Sequence, residues 1–251
     1  MLVKHSTYSF LDPTSTFRFL LPLVAATFLV VLLATGCTDG PSNSSTSGQS
    51  APAQQNTVNI DTLAASGPPI TINGRGRTAT DSITPPSPFS KVTLVHSGSS
   101  NFIVTAYHGD QRTLLVNEIG RYNGTTLILA DSNVMLDIEA DGPWRARVEG
   151  VGRSAGASFS GTGDQVSGFF HAPPNNAPWE ISHDGNSNFI VRLHCLGGSR
   201  LIANEIGRVS ASTIVQFREG PCLWEVNADG RWSLNPREGE VLKLARQETL
   251  L

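Results

Sequence analysis

The chain has 251 residues, room for one large domain or two small ones, and a formal net charge of −3 from 18 Lys+Arg against 21 Asp+Glu. That balance supplies no basic footprint for nucleic acid, and three cysteines cannot by themselves assemble a zinc or iron–sulfur framework. Gly (24) and Pro (15) are spread along the chain with abundant Ser, Thr and Asn; such turn formers predict many short strands rather than long helices.

Residues 1–36 read as an export signal. The apolar run Phe19 to Leu33 follows Lys4 and Arg18, and it is shorter than the ~20 apolar residues a stable bilayer span needs. Ala34-Thr35-Gly36-Cys37 comes directly after it and resembles the bacterial lipobox, in which small residues admit the peptidase and the Cys thiol takes a diacylglyceryl group. Ala34 stands where that motif prefers Leu. The resemblance implies an exported lipoprotein at the bacterial cell envelope, held to the membrane by lipid on Cys37, with an uncleaved signal anchor as the alternative. Thr38 to Gln55 has almost no apolar surface to offset its ordering entropy, so residues 37–65 are expected to form a flexible tether.

Downstream, the chain repeats itself. His96-Ser97-Gly98-Ser99-Ser100-Asn101-Phe102 returns 87 residues later as His183-Asp184-Gly185-Asn186-Ser187-Asn188-Phe189. Asn117-Glu118-Ile119-Gly120 returns at the same offset as Asn204-Glu205-Ile206-Gly207. Ala140-Asp141-Gly142-Pro143-Trp144 is answered by Ala228-Asp229-Gly230-Arg231-Trp232, one residue further on, and Gly74-Arg75-Gly76 by Gly161-Thr162-Gly163. The copies are placed at residues 66–152 and 153–240, leaving a tail at 241–251.

Within each copy the periodicity is two. Val92, Leu94 and His96 alternate with Thr93 and Val95; Val134, Leu136 and Ile138 alternate with Met135, Asp137 and Glu139. Alternation bounded by Gly, Asp and Asn marks half-buried strands, with one more expected around Gly76 to Ile83. Seven or eight strands per copy predict an all-β chain of two tandem, small, antiparallel β-sandwich (jelly-roll-like) domains. One sandwich intertwined from both copies is the alternative.

Cys195 continues the apolar series Phe189, Val191, Leu193, and Cys222 heads the series Cys222, Trp224, Val226. Both thiols are therefore expected on one core from different strands, and in an exported protein such a pair is read as a structural disulfide.

The retained motifs supply the candidate ligand contacts: His96 and His183, Asn101 and Asn188, Glu118 and Glu205. The imidazoles are expected to bond turn carbonyls, the Asn side chains to close turns, and a Glu118–Arg121 ion pair to pin the β-turn. A glycosidase would instead pair Glu118 with Glu139 or Asp137. Trp144, Trp224 and Trp232 fall on inward positions; Trp179, near the Pro/Asn-rich stretch from Ala172 to Pro178, is the one tryptophan placed as a ligand contact. No phosphate loop, nucleophile elbow, metal-ligand pattern or cofactor motif occurs, so no catalytic residue, metal or cofactor is expected.

The combination H-x-G-x-S-N-F, N-E-I-G and A-D-G-x-W, at His96–Phe102, Asn117–Gly120 and Ala140–Trp144 and again in the second copy, is similar to a module of secreted and surface proteins of bacteria. The resemblance implies a compact extracellular β-domain and carries no activity with it. Duplication gains avidity for a binder and little for a catalyst. The expectation is a non-catalytic binding or structural component with a protein or glycan partner at the cell surface. Carbohydrate binding is the alternative, followed by a glycan-acting enzyme.

Overall fold

A computed structural model describes residues 59–64, 67–156, 158–172, 176–218 and 220–237. The expected signal, Cys37, most of the tether and the tail lie outside these residues, and no helix among the described ones is long and apolar enough to cross a membrane.

The described chain is nearly all β and builds four antiparallel sheets. In the first copy the strands are β1 (Ile70–Arg75), β2 (Thr78–Ala79), β3 (Phe89–His96), β4 (Asn101–His108), β5 (Gln111–Ile119), β6 (Tyr122–Leu129), β7 (Met135–Glu139) and β8 (Pro143–Gly150). They form two sheets, β1-β8-β3-β6 and β2-β7-β4-β5. The second copy runs β9 (Phe159–Thr162), β10 (Gln165–Val166), β11 (Phe170–His171), β12 (Ala177–His183), β13 (Asn188–Cys195), β14 (Gly198–Ile206), β15 (Val209–Val215), β16 (Pro221–Ala228) and β17 (Arg231–Pro236). Its sheets, β9-β17-β12-β15 and β10-β16-β13-β14, match the first pair strand for strand, with β11 beside β16 where the first copy has a single bridge. The single strand expected around Gly76 to Ile83 is instead the short β2 and an isolated bridge from Ile83 to Val134; between them the Thr80 hydroxyl, not a backbone carbonyl, takes the Leu136 N–H at 3.0 Å.

Alternation decides which residues meet. Strand β3 buries every second side chain, and its Val92 and Leu94 share one core with Phe102, Val104, Leu136, Ile138, Trp144 and Ala146 from both sheets of the first copy. The second copy has its own core, built on Phe159, Phe170, Trp179, Phe189, Leu193, Trp224 and Leu234. A third, smaller cluster joins the copies: Leu127 of β6 and Val151 with Phe169 and Leu223.

That cluster also takes in Ile60, which corrects the extent of the expected tether. Residues Ile60–Ala64 form a short helix, α1, with Ile60 fully buried. Asn59 starts it, its Oδ1 accepting the Asp61 N–H at 2.9 Å and its carbonyl the Thr62 N–H at 3.1 Å. One buried isoleucine outweighs the polar composition around it.

Cys195 and Cys222 are direct cross-strand partners of β13 and β16 and form a disulfide spanning 27 residues. Removing it by a double Cys→Ala change should cost about 3.6 kcal/mol by loop-closure entropy, an upper-end value. Denaturant unfolding of the two proteins, each with and without reductant, measures it; an unchanged midpoint would place the covalent link outside the stability of the fold.

Candidate functional site

The retained motifs meet in one knot per copy. His96 ends β3, lies flat on Phe102 (4.6 Å between centroids, 7° between planes) and is buried. Its Nδ1 is 2.6 Å from the Gly120 carbonyl, which only accepts, so Nδ1 carries the proton donated there. Its Nε2 is 3.1 Å from Asp141 Oδ1 but out of line for a hydrogen bond. Asp141 caps the turn between β3 and β4, accepting from the Ser99 and Ser100 N–H groups at 2.9 and 3.0 Å and from the Ser99 hydroxyl at 3.1 Å. These donors, the Ser99 N–H foremost, hold its carboxyl below the usual carboxylate range. The second copy repeats the arrangement with His183, Phe189, Gly207 and Asp229.

Two of the recurring glycines, Gly98 and Gly74, are there because the knot leaves no room. A Cβ on Gly98 would come within 2.5 Å of His96 Nε2 and closer still to Asp141. Gly74 lies under the Trp144 ring, whose Nε1 donates to the Gly76 carbonyl at 3.0 Å. Gly98→Ala should therefore cost about 3 kcal/mol or more by overpacking and by displacing the cap. Gly120→Ala, where a positive φ of 88° is the only obstacle, should cost about 1–2 kcal/mol. Thermal unfolding of the two variants gives the comparison; equal losses would refute the crowding account.

Between the copies lies a cleft of about 590 Å³. One wall is β5, from Gln111 to Glu118, beside β6; the other is the outer face of β13 and β16, carrying Asn188, Arg192, His194, Glu225 and Asn227, with Asp164 at one side. Each copy contributes one edge or face, so the cleft exists only because the chain is duplicated.

Its base is a polar lock. Glu225 Oε1 accepts from the Thr126 hydroxyl at 2.9 Å and the Leu127 N–H at 3.0 Å, while Oε2 is 3.0 Å from His194 Nε2. Burial opposes the charge on Glu225, but His194 and these donors together hold its pKa below the usual range. Asp164 accepts from the Tyr122 hydroxyl at 2.6 Å, Asn227 Nδ2 at 2.8 Å and the Ala228 N–H at 2.9 Å; its burial outweighs them and raises its pKa. Burial, followed by the charge of Asp164, also pushes the Tyr122 phenol up.

Of the expected ligand contacts, Glu118 and Asn188 line this cleft, one from each copy. Desolvation by the cleft walls, then the charges of Asp164 and Asp229, raise the pKa of Glu118. Glu118 makes no ion pair with Arg121, and Asp141 rather than Asn101 closes the turn before β4. Glu118 pairs across the strands with Phe102, whereas Asp137 and Glu139 pair with Thr105 and Ile103. Alternation therefore puts Glu118 and the two other carboxylates on opposite faces of one sheet, and the pairing of Glu118 with Asp137 or Glu139 does not form. His96 and His183 are buried in the knots; Asn101 and Glu205 are exposed, away from the cleft. Trp179 is corrected outright: it is fully buried on β12 among Phe159, Phe170, Phe217 and Trp224, and reaches no ligand.

Sequence reading missed Asp164, Tyr122, His194 and Glu225. The signal for them was divergence: Asp164 replaces Arg77, His194 replaces Tyr107 and Glu225 replaces Asp137 at matching positions of the copies.

Fold and cleft together define an all-β protein of two like-folded copies joined around a polar, acid-rich cleft. No protein-family model matches the chain, and no curated protein matches it in sequence.

Proposed function

We propose that the chain is an exported cell-envelope lipoprotein, anchored through Cys37, whose folded part is a non-catalytic binding module with its site in the cleft between the copies. The observation that carries this reading is the cleft itself, which exposes nearly the whole length of β5, a strand that among the described residues pairs only with β4. An unpaired strand edge in a groove suits an extended polypeptide that adds as a further strand. Glu118, Asp164 and Glu225 against Arg192 favour a segment bearing a basic residue. The histidines of the retained motif spend their Nδ1 atoms on turn carbonyls, which favours a scaffold role over catalysis. A glycan ligand finds less support, since none of the side chains lining the cleft is an aromatic platform.

Calorimetric titration with extended ten-residue peptides of alternating polarity, carrying either Lys or Glu at the centre, tests the proposal. The Lys peptides are expected to bind, and Glu118→Lys should weaken them about tenfold, or 1.4 kcal/mol. The same charge reversal at Glu180, exposed on β12 away from the cleft, should leave affinity unaltered. No binding of either peptide, or equal losses from both substitutions, would refute the site.

A further inference from the structure

The way the two copies join leaves an unused equivalent of the same joint on each end of the chain. Inside the chain, the outer edge of β6 is covered by the second copy: the Thr125 N–H donates to the Asp164 carbonyl at 2.9 Å and the Leu127 N–H to Glu225 Oε1 at 3.0 Å. Leu127, only 6% exposed, is buried in the cluster that holds Leu223. In the second copy β15 takes the place of β6. Among the described residues it pairs with β12 alone, so the N–H groups of Ser212 and Ile214, which match Thr125 and Leu127, meet no described strand. Ile214 is 62% exposed, an apolar side chain at the position that is buried in the first copy.

The complementary half of the joint also recurs. By cross-strand register Asp137 stands where Glu225 does, Met135 where Leu223 does and Tyr107 where His194 does. Among the described residues the Asp137 side chain makes no hydrogen bond or ion pair, and Met135 is exposed. One chain therefore carries a free edge ending in Ile214 at one side and the receiving face of β4 and β7 at the other.

We propose that a second copy of this chain docks head to tail, the β15 edge of one on the outer face of β4 and β7 of the next. Ile214 then packs on Met135 of the partner subunit, and the Thr213 hydroxyl and Ile214 N–H donate to Asp137 of the partner subunit, as Thr126 and Leu127 do to Glu225. Such a contact is heterologous and propagates into a row or closes into a ring. It also explains why Asn101 and Glu205, which no cleft uses within one chain, are retained. The docked pair encloses a second cleft with Glu205 on one wall and the partner's Asn101 on the other, just as Glu118 and Asn188 line the first.

The contact is weaker than the internal one, because Val209 stands where Tyr122 bonds Asp164 and Arg77 where Asp164 lies. Association is therefore concentration-dependent, and confinement of the chains to a membrane surface favours it. The proposal rests on the joint between the copies and holds whether or not the cleft takes a peptide.

The test uses the full chain in detergent as two single variants, Ile214→Cys and Met135→Cys, purified apart, mixed over a concentration series and oxidised. A disulfide-linked pair of one variant with the other is expected, with none when either variant is oxidised alone. Sedimentation velocity of the unmodified chain is expected to show reversible association that Ile214→Asp reduces at least tenfold. Crosslinking of Ile214→Cys with itself, or a chain that stays monomeric with no mixed crosslink, overturns the proposal.

Discussion

Replacing Trp179 by Ala is expected to lower the unfolding free energy by about 3–5 kcal/mol, a large part of the 5–15 kcal/mol that holds a typical domain. The indole is fully buried, its ring centroid 5.1 Å from that of Trp224 and about 6 Å from those of Phe159, Phe170 and Phe217. Aromatic neighbours of this size cannot collapse into the space it leaves, so the cavity persists and the lost contacts are not recovered. The loss comes from packing, because among the described residues the buried Trp179 Nε1 has no hydrogen-bond partner to forfeit. Trp179→Phe should accordingly cost less than half as much. Urea unfolding of both variants checks this. A near-neutral Trp179→Ala would mean that the aromatic cluster is not the centre of the second core.

The second large effect belongs to the lock between the copies. Glu225→Ala should cost about 3 kcal/mol, since it strands the Thr126 hydroxyl and the Leu127 N–H and takes away the partner of His194. The pH dependence has two opposed parts. Glu225 has a depressed pKa in the fold, so its contribution is complete above the unfolded value and disappears as pH falls through the folded one. Asp141 and Asp229, capped by backbone donors, act in the same sense. Asp164 and Glu118 have raised pKa values, so the folded state binds protons there before the unfolded chain does, and stability first rises as pH falls through their titration. Stability should therefore peak on the mildly acidic side, just above the ordinary carboxylate range, and fall steeply below it. Asp164→Asn should flatten the rise and leave the steep acid fall in place. A stability curve that declines steadily from neutral pH, in both proteins, would contradict the assignment of Asp164.

Retained residues and divergent residues did different things in this chain. His96, Gly98, Asp141, Gly142 and Trp144 recur in the second copy because each copy must tie the same three turns together, and a change in any one of them is felt locally in either copy. Asp164 and His194 do not recur, and Glu225 recurs only as the shorter Asp137, because within one chain the joint needs one edge from the first copy and one face from the second. Reading for repetition finds the scaffold and passes over the joint. Trp179 was misplaced for a related reason: the Pro and Asn residues before it suggested a surface loop, yet strand β12 already begins at Ala177 and alternation points the indole inward.

From the amino acids alone came the all-β class, the duplication, the inward faces of the strands and the pairing of Cys195 with Cys222. All of these depend on local periodicity, since a side chain two positions along a strand returns to the same face whatever the strand packs against. Only the tertiary structure could decide that Ile60 is anchored, that the copies enclose a cleft, and which carboxylates are pushed up or down within it. Those are properties of residues far apart in the chain, such as Thr126 and Glu225, and burial and charge act through space rather than along the backbone.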